Sequence, residues 1–261
     1  GHGVHQLLLG GNALFRQQIH DLLHGVALRN GDKHQALLGA ASCVGIVHVV
    51  YQAAVIHGGV QLEEYPFIDN SLTGQINRLE GYLFPDTYEF STEKTAVFAI
   101  DTMLTNFNTK VSNELLSEIQ ESGYTFREII TMASIIEKEA IGDYEERTNV
   151  ASVLYNRMNT TDRETYGYLQ LDTTIYYALS LEGKDKTAFD KELDSPYNTY
   201  KYPGLPAGPI CCPGMDSIKA AIYPNDTEYF YFAAGKDGVN HFFKTYNEHL
   251  AFINSDMYQP D

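Results

Sequence analysis

Two glutamates, Glu137 and Glu139, flank Lys138 in the run TMASIIEKEA at 131–140. Carboxyls set beside an apolar helical stripe are the raw material of general acid–base chemistry. At 100° per residue, Ile129, Met132, Ala133, Ile136 and Ala140 share one face, and Lys138 points nearly the opposite way. The two glutamates edge the stripe on either side. Glu139 has Met132, Ile135 and Ile136 behind it, the more apolar surroundings of the two. Desolvation by aliphatic side chains raises a carboxyl pKa toward the range that a general acid needs near neutral pH. The alternative is an ordinary amphipathic helix with two boundary glutamates, since charge beside the stripe is common there.

The elements that would position these carboxyls can be read from local signals. Thr125 with Glu128 three residues on forms a capping-box pattern that opens a helix over 126–140. Before it, 91–94 supplies a helix start, followed by Val97, Ile100, Met103, Leu104 and Phe107 at helical spacing. A further helical run over 111–120 is closed by Gly123. After the glutamates, 143–159 predicts another helix with a stripe through Val150, Val153, Leu154 and Met158. Residues 169–181 read as a short extended piece entering a helix. Five prolines and two glycines make 195–213 a long structured loop. A short helix over 217–222 stops before Pro224. Two strands, 229–233 and 241–243, surround a turn at 235–238, and the last helix covers 246–253. The fold class is α+β, mainly helical, with a small β-hairpin late in the chain.

Composition narrows the function. A chain of 261 residues, 44% hydrophobic and 20% charged, has the material for a substantial core. Its net charge of −16 has the wrong sign for tracking phosphates, which argues against a nucleic-acid partner. Tryptophan is absent, but 19 tyrosines offer flat apolar faces with hydrogen-bonding tips, suited to sugar rings as well as to cores. The three cysteines, Cys43, Cys211 and Cys212, make no disulfide framework and no metal-binding spacing. Adjacent Cys211 and Cys212 are better read as packed thiols than as a strained vicinal disulfide. His20 and His24 have i, i+4 spacing but lack a third ligand, and His241 and His249 have no serine or cysteine nucleophile in a recognisable elbow near them.

Six segments carry a family resemblance. They are LEGYLFPDTYEF, TMASIIEKEA, RTNVASVLYNRM, LQLDTTIYYAL, SPYNTYKYPGLPAGPICCPGMDSIKAAIYP and YFYFAAGKDGVNHFFKTYNEH. In this order, from about residue 79 to 250, they resemble the endolytic murein transglycosylase family. The resemblance implies a membrane-anchored, extracytoplasmic enzyme of cell-wall peptidoglycan, cutting MurNAc–GlcNAc β-1,4 bonds within glycan strands. It implies a lytic reaction that leaves 1,6-anhydro-MurNAc ends and helps to end strand elongation. Its partners would be glycan strands and peptidoglycan synthases, and no cofactor or metal is called for. The family's catalytic acid, the second glutamate of E-K-E, maps onto Glu139. Glu137 is left for structural pairing with Arg147 or Lys138.

Around that acid the cleft needs hydrogen-bonding groups and flat faces. Gln170 and Asp172 are polar residues in an apolar frame, open to lining the cleft or, for Asp172, to capping a helix. Tyr197, Asn198, Thr199 and Tyr200 lie in the Pro/Gly-braced loop, where rigid backbone often presents binding residues. Asn156 and Arg157 are read as structural. Two other functions stay open: a hydrolytic muramidase, and a non-catalytic glycan-binding or division-scaffold protein.

Residues 1–60 differ from the rest. They hold seven of the nine histidines, and no Asp, Glu, Lys or Arg occurs between Lys33 and Glu63. They form an atypical N-terminal segment before a catalytic domain over 61–261. Within it, 36–56 is long enough to cross a bilayer, as a degenerate anchor, or to form a buried or irregular layer. No LysM-like pattern is recognisable there, and non-family sequence is a further reading of the segment.

Overall fold

The computed structural model describes residues 34–37, 62, 65–72, 77–90, 96–160 and 165–259. Strand β1 (His34–Leu37) pairs antiparallel with β2 (Thr87–Phe90), register His34 opposite Phe90. Five helices follow: α1 (Ala96–Lys110), α2 (Asn113–Ser122), α3 (Phe126–Glu139), α4 (Tyr144–Met158) and α5 (Asp172–Leu181). After the long loop come α6 (Met215–Ile222), the hairpin β3 (Tyr231–Ala234) and β4 (Asn240–Phe243), and α7 (Tyr246–Ile253). The mainly helical α+β architecture and the late hairpin agree with the sequence. Strand β1 does not follow from it: four residues of HQAL carry no alternation strong enough to announce a strand, and the partner lies some 50 positions on.

Local chemistry accounts for most boundaries. Ser112 caps α2 by accepting from the Leu115 N–H, and Gly123 ends it at φ 81°, a left-handed turn glycine enters freely. Thr125 and Glu128 complete the capping box of α3, and Thr245 and Glu248 repeat it at α7. Asp143 caps α4 by accepting from the Glu146 N–H.

Helix α3 is the axis of the molecule. Residues from Ile129 to Ile136 are all buried, more than one face would require, because α6, α4, α2 and α5 all pack against it. An aromatic cluster closes one side of the core, with Phe107 edge-on to Tyr82 at 5.7 Å and to Phe67 at 4.9 Å. Gly81, at φ 90°, approaches this packing so closely that a Cβ would lie 2.8 Å from Ile130 Cγ2 and 2.7 Å from Pro209 Cγ. Cys211 and Cys212 are buried thiols, in line with the packed-thiol reading. Apart from Ala36 and Leu37 in β1, the stretch 36–56 lies outside the described residues, as does Cys43. No helix among the described residues is long and apolar enough to cross a membrane.

Candidate active site

Glu139 occupies the last turn of α3, partly buried, where three separate elements converge. From α5, Thr173 donates its hydroxyl to Glu139 Oε1 at 2.5 Å. From β4, Asn240 donates its amide to the Glu139 backbone carbonyl at 2.8 Å. Asn240 is itself held by the buried carboxylate of Glu146 on α4, through its Nδ2 at 3.0 Å and its backbone N–H at 3.3 Å. Glu146 Oε1 also accepts from the N–H groups of Ile141 and Gly142, at 2.8 and 3.1 Å. One carboxylate thereby fixes both the exit of α3 and the strand that grips it. A Cβ on Gly142 would fall 2.4 Å from Glu146 Oε2, so any larger residue here displaces that carboxylate.

Glu137 faces a different neighbourhood. Its Oε2 accepts from the Gly214 N–H at 3.0 Å and the Ser217 hydroxyl at 2.7 Å, with Arg147 Nη1 at 3.6 Å. Gly214 is the N-cap of α6 and brings no capping side chain, so Glu137 supplies the anionic oxygen that a helix N-terminus favours. Pairing with Arg147, one of the two partners foreseen, is what the structure shows.

A buried positive charge lies within electrostatic reach of Glu139. Arg157 on α4 donates Nε to the Phe230 carbonyl at 2.7 Å and Nη1 to the Leu169 carbonyl, with Tyr231 5.5 Å below its guanidinium. Burial lowers its pKa, while the charge of Glu139 and the Tyr231 and Tyr200 phenols work the other way. Asn156 donates to the carbonyls of Thr227 and Tyr229, at 2.8 and 2.9 Å. Both side chains brace the hairpin and the loop before α5, the structural role expected of them.

The remaining predicted residues divide. Asp172 is the first residue of α5 rather than its cap; the N-cap is Leu171, without a side-chain bond. Its Oδ1 accepts the Tyr200 hydroxyl at 2.5 Å, and burial together with that bond raises the phenol pKa. Lys191 lies 4.5 Å over the Tyr200 ring, so that face is covered. Gln170 is exposed, at φ 54°, with its N–H bonded to the Thr199 carbonyl at 3.1 Å. Tyr197, Asn198 and Thr199 are buried instead. Tyr197 accepts from Asn77 at 2.7 Å, Asn198 donates to the carbonyls of Lys191 and Leu193, and Thr199 accepts from the Leu171 N–H at 3.0 Å. Their polar atoms hold the loop and the start of α5 together.

Thr173, Asn240 and Glu146 around Glu139 escaped the sequence reading, and so did a further buried carboxyl. Glu80, in the aromatic LEGY turn, is 2% exposed and accepts from the Tyr177 hydroxyl at 3.2 Å, with the Cys212 thiol at 3.9 Å. Burial pushes its pKa up to about 7. A glutamate inside an otherwise apolar run was the available signal.

The family is settled by comparison. A model of the YceG-like family matches residues 16–255. The chain belongs to the YceG-like family. That match begins inside the atypical N-terminal segment. The chain is 42% identical over 173 residues to an endolytic murein transglycosylase of Bacillus subtilis, covering 66% of this chain and 46% of that protein. It is 36% identical over 180 residues to one of Streptococcus pneumoniae, covering 66% of this chain and 31% of that protein. It thus spans less than half the length of these curated relatives. Among solved structures, a YceG-like protein from Listeria monocytogenes superposes with a TM-score of 0.68 at 29% identity, over 91% of this chain and 80% of that one.

Proposed function

We propose that this YceG-like chain is a peptidoglycan lytic transglycosylase that cuts glycan strands internally, with Glu139 as its single catalytic acid and base. The supporting observation is the contrast between the two E-K-E glutamates. Glu137 is engaged in capping α6, whereas Glu139 stands at the meeting point of α3, α5 and β4 with Thr173 orienting Oε1. Relatives named for endolytic murein transglycosylation supply the substrate class.

In this reading Glu139 protonates the glycosidic oxygen while the MurNAc ring gains oxocarbenium character. The resulting carboxylate takes the proton of the MurNAc C6 hydroxyl, whose oxygen attacks C1. The C1–O4 bond to GlcNAc breaks, the C1–O6 bond forms, and no water is consumed. An intramolecular hydroxyl benefits from high effective molarity and replaces the second carboxylate that hydrolytic glycosidases position. In the same reading Gln170, Asp172 and Tyr200 meet sugar hydroxyl and N-acetyl groups, and Tyr197, Asn198 and Thr199 support them. Anchoring to the membrane, an extracytoplasmic site, work beside peptidoglycan synthases and termination of strands complete the proposal.

Mass spectrometry of muropeptides from purified peptidoglycan tests it. Wild type should release anhydro ends and Glu139→Gln none. Products heavier by one water would identify a hydrolase, and tight binding with no new ends would identify a binding protein.

A further inference from the structure

An unusual stretch of backbone leads into α5. Tyr166, at φ 46°, and Gln170, at φ 54°, are the non-glycine residues with positive φ among the described residues. An aromatic side chain rarely takes this conformation, and such outliers persist where the surroundings over-determine them, often at ligand sites. At Tyr166 the result is a ring turned outward, 61% exposed. It packs against no other aromatic ring among the described residues.

A second outward tyrosine belongs to the segment bonded to it. The Gly204 N–H bonds the Gly167 carbonyl at 2.9 Å, and a Cβ on Gly167 would touch Pro203 at 3.8 Å. Tyr166 and Tyr202 therefore flank one backbone contact. Tyr202 is 43% exposed and is oriented by its hydroxyl, which donates to Asp194 at 2.6 Å. The same pair of segments continues inward: Gln170 bonds Thr199 at 3.1 Å, Tyr200 bonds Asp172 at 2.5 Å, and Thr173 bonds Glu139 at 2.5 Å. From Gly167 to Gln170 the chain reaches no more than ~10 Å, a distance on the scale of a disaccharide.

We propose that Tyr166 and Tyr202 form an outer sugar-binding subsite, stacking pyranose rings of a glycan strand whose inner sugars lie at Glu139. The subsite rests on the transglycosylase reading for its substrate and goes beyond it in assigning where the strand is gripped. A flat ring with a polar tip suits a pyranose, which is apolar on its faces and hydroxylated at its rim. Asp194 and Lys201 pair at 3.4 Å beside Tyr202, with Lys201 Nζ 5.9 Å over one face of its ring, and charges of both signs there favour a hydroxylated ligand over a lipid surface. Binding energy gathered this far from the reacting bond is useful because it can be applied to orientation at the cleavage point, and it makes the enzyme select long strands over short ones.

The test uses the absence of tryptophan from the chain. The Tyr166→Trp variant, combined with Glu139→Gln to prevent cleavage, carries a single tryptophan. Glycan strands freed of stem peptides should change its fluorescence saturably, with affinity weakened about tenfold by adding Tyr202→Ala. In the otherwise wild-type chain, Tyr166→Ala should lower kcat/KM about tenfold on long strands and less than twofold on tetrasaccharides, and Tyr166→Phe should restore it. Tyr166→Gly separates binding from packing: it relieves the left-handed backbone, so the melting temperature should hold or rise while long-strand affinity falls. Unchanged fluorescence at saturating strand, or equal losses on long and short substrates, overturns the subsite. Fluorescence binding without any cleavage by wild type would leave the subsite standing and sink the catalytic reading instead.

Discussion

The two sides of the α3 terminus carry the same functional group into opposite circumstances. On the α6 side, Glu137 receives an amide, a hydroxyl and a guanidinium, all tied to holding one helix end. On the side of α5 and β4, Glu139 receives the Thr173 hydroxyl on Oε1, while its backbone is clamped by Asn240. Two residues of helix separate a carboxylate whose donors complete a structure from one whose position is fixed by its backbone. The lesson is that a carboxyl pair in sequence need not be a catalytic pair in space.

Substitution at the two glutamates should diverge accordingly. Glu139→Gln should reduce anhydro-end formation about a thousandfold, within the range for loss of a general acid, with a melting temperature close to wild type. Equal loss of activity from Glu137→Gln would break the comparison. A third carboxyl, Glu80, should show itself through stability alone. In the unfolded chain it titrates near 4.5, and in the fold burial holds its proton to about 7. The folded state therefore binds the proton more tightly. Its contribution is complete below pH 4.5 and is lost as pH rises through about 7, a change of about 3 kcal/mol. Denaturation of wild type and Glu80→Gln across that window checks this, the variant being expected to flatten the decline.

Smaller effects sharpen the contrast. Glu137→Ala strips α6 of its borrowed cap and should cost about 2 kcal/mol, read as a melting temperature lower by several degrees, with activity falling less than tenfold. Thr173→Val removes one hydrogen bond from Glu139 Oε1, and kcat should drop roughly five- to tenfold with stability little changed. A Thr173→Val variant as active as wild type would show that α5 does not orient the carboxyl.

What the sequence revealed follows the reach of each interaction. The capping box at Thr125, the left-handed Gly123 and the hairpin turn are closed within a few residues, so their patterns could be read directly; the matching box at Thr245 is as local and was passed over. Glu139 was marked as the more apolar of the pair by its i−3, i−4 and i−7 neighbours, again local, and as the candidate acid by the family resemblance. The partners of Glu137, at Gly214 and Ser217, lie 77 and 80 positions away, beyond any periodicity. Burial of Glu80 among Tyr177 and Cys212 is likewise long-range. In the loop at 197–200, composition announced rigidity but not direction. Four consecutive polar side chains looked equivalent, and only packing turned Tyr197, Asn198 and Thr199 inward. Strand β1 was missed because its partner, not its own pattern, makes it a strand.

The grip of Asn240 on the Glu139 carbonyl has a consequence in time as well as in space. It joins residues 101 positions apart, and the Glu146 contacts that support it span 94. Contacts of such separation form late, after the closure of a long loop has been overcome. As the chain leaves the ribosome, α3 can be complete long before the strand that seats its last residue exists. The carboxyl is therefore aligned only once nearly the whole domain has been synthesised and closed, so an unfinished chain carries its blade unset.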